Sequence, residues 1–110
     1  MTIYFKTINV GTVSASGTVS KSWSADDDYT LKKIIAVEKG NSGLHNVTAT
    51  MRIENFTFTK DNIPLSVMQN NIQYVPDLEY LFKKGQTFYV SITNNGTSDV
   101  EIFLVLVLEK

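Results

Sequence analysis

The density of β-branched side chains is the strongest constraint on what this chain can fold into. Val, Ile and Thr account for 32 of its 110 residues, and such side chains favour the pleated surface of a strand over a helix. Apolar Phe88, Val90 and Ile92 also alternate with Tyr89 and small hydroxyl residues. This period of two is typical of a strand with one buried face. The sequence therefore predicts an all-β protein.

Turn signals divide the chain into about eight strands. We expect strands over 2–10, 12–24, 29–39, 47–53, 56–59, 78–82, 87–93 and 99–109. Gly11 should end the first strand, and the paired Lys32 and Lys33 interrupt the third strand in the manner of a bulge. Thr57 and Thr59 should point outward. Residues 40–43 predict a loop, and 60–76 an irregular stretch with one helical turn near 64–68.

The end of the chain should form a hairpin. Asn94, Asn95 and Gly96 are typical of a turn with positive φ, so the last strand is expected to pair with the strand before it. This turn and the acidic turn at 26–28 should lie at an exposed rim of the molecule.

These strands, without any long helical periodicity, predict a two-sheet antiparallel sandwich. The irregular connection in its middle favours a jelly-roll arrangement over an immunoglobulin-like one. We expect residues 1–110 to form a single domain, because a chain of this length can bury a core of its own. The chain has no cysteine, which excludes disulfides, thiol catalysis and zinc–thiolate sites.

Net charge and hydropathy limit the classes of partner that we expect the chain to bind. The formal net charge is −1 and Arg52 is the single arginine, which is unlike a nucleic-acid-binding protein. The longest apolar run, 102–108, is far shorter than the roughly 20 residues of a transmembrane helix. We therefore expect no nucleic-acid partner and no membrane span. Residues 1–10 lack the pattern of a signal peptide.

Few residues are suited to catalysis. His45 is the single histidine, and no Gly-Xaa-Ser-Xaa-Gly sequence provides a nucleophile elbow. The glutamates lie in or beside predicted strands, with no reason to converge as a glycosidase pair: Glu38, Glu54, Glu79, Glu101 and Glu109. We expect no enzyme and no cofactor.

The acidic run Asp26, Asp27 and Asp28 is a weak candidate for a calcium site, because Ca²⁺ prefers carboxylate and carbonyl oxygens. Adjacent side chains diverge, however, and no glycine-containing loop with a distant glutamate follows. An acidic turn is the simpler interpretation, so no metal is expected.

Aromatic side chains offer a possible sugar-binding platform. Trp23, Tyr29 and Tyr89 are the principal candidates, with Tyr74 and Tyr80 as further members, because aromatic faces stack on sugar rings. A structural interpretation competes with this one. In it, Trp23 covers the rim of the sandwich and Tyr89 lies among threonines on an outward face.

The last strand is apolar on both faces. Ile102, Leu104, Leu106 and Leu108 lie on one face, and Phe103, Val105 and Val107 lie on the other. A two-layer sandwich has room for one of these faces in its core, so the other must be covered. Either the stretch 60–76 or another copy of the chain could cover it. We take Phe103, Val105 and Val107 as the candidate oligomer interface, although the sequence leaves open which face is the core.

Two segments carry a resemblance to a known group of proteins. They are WSADDDYTLKKIIAV, residues 23–37, and KGQTFYVSITNNGTSDVEIFLVLVL, residues 84–108. With its polar second strand and apolar closing strand, the chain resembles the small single jelly-roll proteins of virions, which serve as decoration, turret or spike subunits and assemble as trimers or pentamers.

The resemblance implies a non-enzymatic structural or attachment role in a homo-oligomer. It also implies assembly in a host cytoplasm and a final location in the virion, with other virion proteins or a host surface glycan as further partners. The alternative function is that of a carbohydrate-binding β-sandwich module.

Overall fold

The computed structural model describes residues 2–39, 44, 46–59, 61–69 and 77–110. Nine strands and one short 3-10 helix lie within these ranges. The strands are Ile3–Val13 (β1), Thr18–Ser24 (β2), Tyr29–Glu38 (β3), Val47–Ile53 (β4), Phe56–Thr57 (β5), Ile63–Pro64 (β6), Tyr80–Phe82 (β7), Thr87–Asn94 (β8) and Val100–Glu109 (β9). The expectations for residues 40–43, His45 and Tyr74, and for residues 60 and 70–76 of the stretch 60–76, concern positions outside the described residues.

The strands form two antiparallel sheets packed as a sandwich, as predicted. The first sheet has the order β1-β9-β3-β7, and the second has the order β2-β8-β4-β5 with β6 beside β4. Six of the eight connections between the described strands cross from one sheet to the other, which is the connectivity of a jelly roll. No helix in the described part of the chain is long and apolar enough to cross a membrane.

The core fills the space between the two sheets. The even-numbered face of β9 contributes Ile102, Leu104, Leu106 and Leu108, all almost fully buried. Strands β4 and β8 face them from the second sheet with alternating buried side chains. The structure thus identifies the core face of β9, which the sequence left open.

The predicted pairing of the last two strands is wrong. Strand β8 lies between β2 and β4, whereas β9 lies between β1 and β3 in the other sheet. Asn94 is almost fully buried where the chain passes from β8 in one sheet to β9 in the other. Its side-chain amide stabilises this connection by donating hydrogen bonds to the carbonyls of Val13 and Ser98. None of residues 94–96 has a positive φ, and Asn94 does not belong to an exposed rim.

The first two strands also differ from the prediction. Gly11 lies inside β1, because its φ of +81° forms a bulge that lets the strand continue to Val13. The second strand begins at Thr18 rather than Thr12, after a turn in which Ser16 has a positive φ. The bulge expected at Lys32 and Lys33 is confirmed, since the pairing of β3 with β9 shifts register between Leu31 and Lys33.

Residues 61–69, the described part of the stretch expected to be irregular, contain only the two-residue strand β6 and one short helix. The predicted helical turn is confirmed as the 3-10 helix Leu65–Met68. Thr59 was expected to point outward but is buried, because its hydroxyl accepts a hydrogen bond from the backbone N–H of Met51.

Candidate functional site

The two outer faces of the sandwich have opposite character. On the first sheet, Phe103, Val105 and Val107 of β9 point away from the core. Their neighbours on that face include Phe5 of β1, which lies opposite Val107, and Val37 of β3, which lies opposite Phe103. We call this surface the apolar patch and define it by its members Ile3, Phe5, Ile35, Val37, Phe103, Val105 and Val107.

The chain covers the apolar patch only in part. Val107 is 5% exposed, so its neighbours already shield it from water. Phe5 remains 63% exposed and Val37 remains 43% exposed. On the same sheet face, Leu81 of the edge strand β7 is 68% exposed. Large apolar side chains therefore meet solvent across this sheet in the single chain.

The outer face of the second sheet is a ladder of hydroxyl groups. Cross-strand register places Ser20 beside Ser91 and Ser91 beside Thr50, while Ser22 lies beside Tyr89. The row at one end is held together by a hydrogen bond of 2.9 Å between the hydroxyls of Thr18 and Thr93. The sheet thus turns a strongly polar surface to solvent.

A groove of about 300 Å³ lies in this polar face. Its floor includes Arg52 and Tyr89, which are neighbours across β4 and β8, with the guanidinium carbon 3.7 Å from the ring centroid of Tyr89. Nη1 of Arg52 also donates a hydrogen bond to the carbonyl of Glu54. The remaining lining residues are Ser20, Lys21, Ser22, Thr50, Val90 and Ser91.

Trp23 and Tyr29 lie apart from the groove, where β2 and β7 end and β3 begins. We call this place the open end of the sandwich. The Trp23 ring makes an edge contact with buried Phe82 at 5.7 Å and lies 6.4 Å from the ring of Tyr29. The ammonium group of Lys6 is 5.4 Å from the Trp23 ring. Trp23 is half-buried and packs against the core, so it contributes to closing the sandwich.

The three aspartates of the acidic turn point to different partners. Asp26 accepts a hydrogen bond of 2.7 Å from the Tyr29 hydroxyl, and Asp28 accepts one from the backbone N–H of Lys84. Asp27 pairs with the ammonium group of Lys110, which lowers the pKa of Asp27 and raises that of Lys110. Among the described residues no group of three His, Cys, Asp or Glu side chains forms a potential metal site.

The candidate site residues therefore fall into three separate places. Phe103, Val105 and Val107 share the apolar patch, and Trp23 and Tyr29 come together at the open end. Tyr89 is apart from both on the outer face of the second sheet. Arg52 lies in no sequence motif that marks it as a site residue. The alternation of apolar and polar residues in 47–53 predicts that Arg52 points outward. That Tyr89 is its neighbour follows only from the register of β4 and β8.

The comparisons with known proteins support the fold. No protein-family model matches the chain, and no curated protein matches it. A crystal structure of the Yersinia pseudotuberculosis-derived mitogen is similar, with a TM-score of 0.50 at 11% identity over 99% of this chain and 86% of that one.

Two other solved structures are more distant. The Drosophila NLP-core has a TM-score of 0.45 at 12% identity over 96% of this chain and 98% of that one. A ruminal GH26 endo-β-1,4-mannanase has a TM-score of 0.37 at 13% identity over 88% of this chain and 19% of that one. At 11% identity the similarity to the mitogen concerns the β-sandwich alone.

Proposed function

We propose that the protein is a non-enzymatic structural subunit that self-associates through the apolar patch, as a decoration, turret or spike subunit of a virion does. The observation that carries the proposal is the exposure of large apolar side chains across a regular sheet, above all Phe5 and Val37 of the apolar patch, with Leu81 exposed on the same sheet face. The place in a virion is proposed from the sequence resemblance described above.

The apolar patch is of ordinary size for a single chain. Three strands about 4.8 Å apart, with the β1 segment 3–9 rising about 3.4 Å per residue, give a footprint of roughly 300 Å², and outward-facing Thr7, Asn9 and Lys33 occupy part of it. The largest apolar patch of a typical monomer is roughly 300–600 Å² and often serves an interaction. The patch is therefore proposed as the apolar centre of a larger interface whose polar rim extends to neighbouring strands.

A second copy of the chain is the occupant that this surface favours. The central rows of this surface are Phe5–Val107–Lys33 and Thr7–Val105–Ile35, and the ammonium group of Lys33 pairs with Asp77 at 3.1 Å. The charged pair Lys39–Glu101, at 3.9 Å, lies at one end. Two such sheets pack face to face at about 10 Å with side chains interdigitated. An identical face offers matching apolar area and buries no unpaired charge at its centre.

The test is the solution mass of the protein and of two variants, measured by light scattering after size exclusion at micromolar concentration. We expect the unchanged protein to give the mass of an oligomer, at least twice the 12.3 kDa of one chain. Phe5→Asp and Val37→Asp should each give the monomer mass, because burying an unpaired carboxylate in the contact costs several kcal/mol. Both positions are exposed in the single chain, so the fold itself should tolerate the charge. Val105→Asp should act in the same direction, but Val105 is half-buried and the substitution also strains the monomer.

Ser20→Asp is the matched control, since it adds the same charge to the exposed face of the other sheet. It should leave the mass unchanged. A monomer for the unchanged protein, or an unchanged assembly in both patch variants, would overturn self-association through this surface. The place in a virion is tested separately by mass spectrometry of purified particles, in which absence of the chain would overturn it.

A further inference from the structure

We propose that the groove around Arg52 and Tyr89 binds a saccharide whose ring carries a carboxylate. The groove lies on the second sheet, and the apolar patch lies on the first. The inference therefore does not depend on self-association, and each can fail without the other.

The charges of the groove favour an anion. Arg52 and Lys21 line it, and its described lining residues include no carboxylate, although the chain as a whole has a net charge of −1. The nearby carboxylate of Glu54 accepts a hydrogen bond of 2.7 Å from the backbone N–H of Thr87. The guanidinium of Arg52 thus meets a ligand here without a competing acidic side chain on the lining. Lys21 alternates to the other face of β2, where its register partner is the buried Val90.

The guanidinium of Arg52 is held in place for recognition. It stacks on the ring of Tyr89 and donates from Nη1 to the carbonyl of Glu54. These two contacts fix its plane, and its remaining N–H groups can form the paired hydrogen bonds that match a carboxylate. Because less side-chain entropy is lost on binding, a fixed guanidinium binds more tightly than a mobile one.

The hydroxyl groups beside Arg52 indicate a sugar rather than a simple anion. The side chains of Ser20, Ser22 and Ser91 line the groove and have no hydrogen-bond partner among the described residues. Each hydroxyl can both donate and accept, which suits the hydroxyl groups of a pyranose ring. Thr50, by contrast, donates its hydroxyl hydrogen to Asn62.

The geometry disfavours a phosphate site. Phosphates are typically bound by unpaired backbone N–H groups at helix N-termini or in nests. Here β8 lies between β2 and β4 with its backbone groups engaged in sheet pairing, so the extended strands under the groove form no nest of N–H groups. A volume of about 300 Å³ lies at the small end of the range for ligand sites, which suits a terminal sugar unit.

The test is an NMR titration of the ¹⁵N-labelled protein with sialyllactose, with lactose and with sodium acetate. Sialyllactose should shift the backbone resonances of Ser22, Tyr89 and Ser91, and lactose and acetate should shift them far less. Arg52→Ala should weaken sialyllactose binding at least about tenfold, because it removes the charged hydrogen-bond donors. Arg52→Lys should also weaken it, since the charge stays but the planar fork is lost.

Lys39→Ala is the matched control, because it removes one exposed positive charge from the other sheet. It should leave the affinity unchanged. No response to sialyllactose would overturn the proposal, as would an equal response to lactose or to acetate. Retained spectral dispersion in Arg52→Ala shows that a loss of binding is not a loss of fold, and Arg52→Lys provides a second variant if the alanine variant unfolds.

Discussion

At the scale of single residues, Tyr29 shows how a partly exposed side chain can be tied into the structure. Its hydroxyl donates to Oδ1 of Asp26 at 2.7 Å, and its ring contacts those of Trp23 and Tyr4. The hydrogen bond to Asp26, followed by desolvation and nearby negative charge, raises the pKa of Tyr29 from 10.0 to about 12. The acidic turn thus anchors an aromatic cluster.

The raised pKa predicts a pH dependence of stability. The folded protein binds the phenolic proton of Tyr29 more tightly than the unfolded chain does, so the stabilisation is complete below pH 10 and is lost as the pH rises from 10 to about 12. An NMR titration that follows the Tyr29 ring carbons should show the high pKa. Asp26→Asn should lower it, and Tyr29→Phe should remove this part of the alkaline loss of stability. A Tyr29 resonance that titrates near 10 in the unchanged protein would contradict the prediction.

At the scale of strands, the two bulges decide which side chains reach the core. Ile8 and Val13 are five residues apart and would lie on opposite faces of a regular strand. Both are buried because β1 shifts register between Asn9 and Gly11. Leu31 and Ile34 are three residues apart and are both buried for the same reason on β3. Both bulges lie on strands that pair with β9. They keep the buried side chains of β1 and β3 on the same side of the sheet as the core face of β9.

The bulge in β1 depends on glycine. Gly11 has a φ of +81°, and a Cβ there would meet nothing closer than 4.0 Å, so the cost of a side chain is conformational rather than steric crowding. Gly11→Ala should lower the free energy of unfolding by about 1–2 kcal/mol. Gly11→Asn should lower it less, because asparagine adopts left-handed conformations more readily.

The measurement for Gly11 is urea unfolding with a constant m-value. Thr12→Ala is the neighbouring control, since Thr12 is exposed and surface substitutions usually change stability by less than about 0.5 kcal/mol. Equal stability of Gly11→Ala and the unchanged protein would show that the bulge does not require a left-handed residue.

At the scale of the whole molecule, the jelly roll separates the two proposed surfaces. The apolar patch belongs to the sheet β1-β9-β3-β7, and the groove belongs to the sheet β2-β8-β4-β5. The core lies between them. Self-association through one sheet therefore leaves the other free, and an assembly would present several grooves together.

This separation predicts that the assembly affects avidity but not intrinsic affinity. Phe5→Asp should leave the affinity for soluble sialyllactose within about twofold, because Phe5 lies on the opposite sheet. Binding to a surface coated with sialyllactose should fall by roughly 100-fold or more, since the linked copies lose their mutual effective concentration. Surface plasmon resonance and the NMR titration measure the two quantities. An equal fall in both would mean that the two sheets are energetically coupled.

The sequence alone determined the fold class and most strand positions. The alternation in 47–53 and 87–93 is a local property of the backbone, because successive side chains of a strand point to opposite faces. The lysine pair at 32–33 interrupts the alternation of the third strand, and the corresponding bulge is present. The same alternation shows that β9 has two apolar faces, but it does not show what covers either of them.

Only the tertiary structure decided how the strands pair. The turn residues 94–96 suggested a hairpin, but burial of Asn94 and the crossing between sheets place β8 and β9 in different layers. Arg52 and Tyr89 are 37 positions apart in the printed sequence and become neighbours only through the register of β4 and β8. Which face of β9 is buried also depended on its long-range neighbours. Strand propensity is local, whereas register, layer and burial are set by contacts between distant segments.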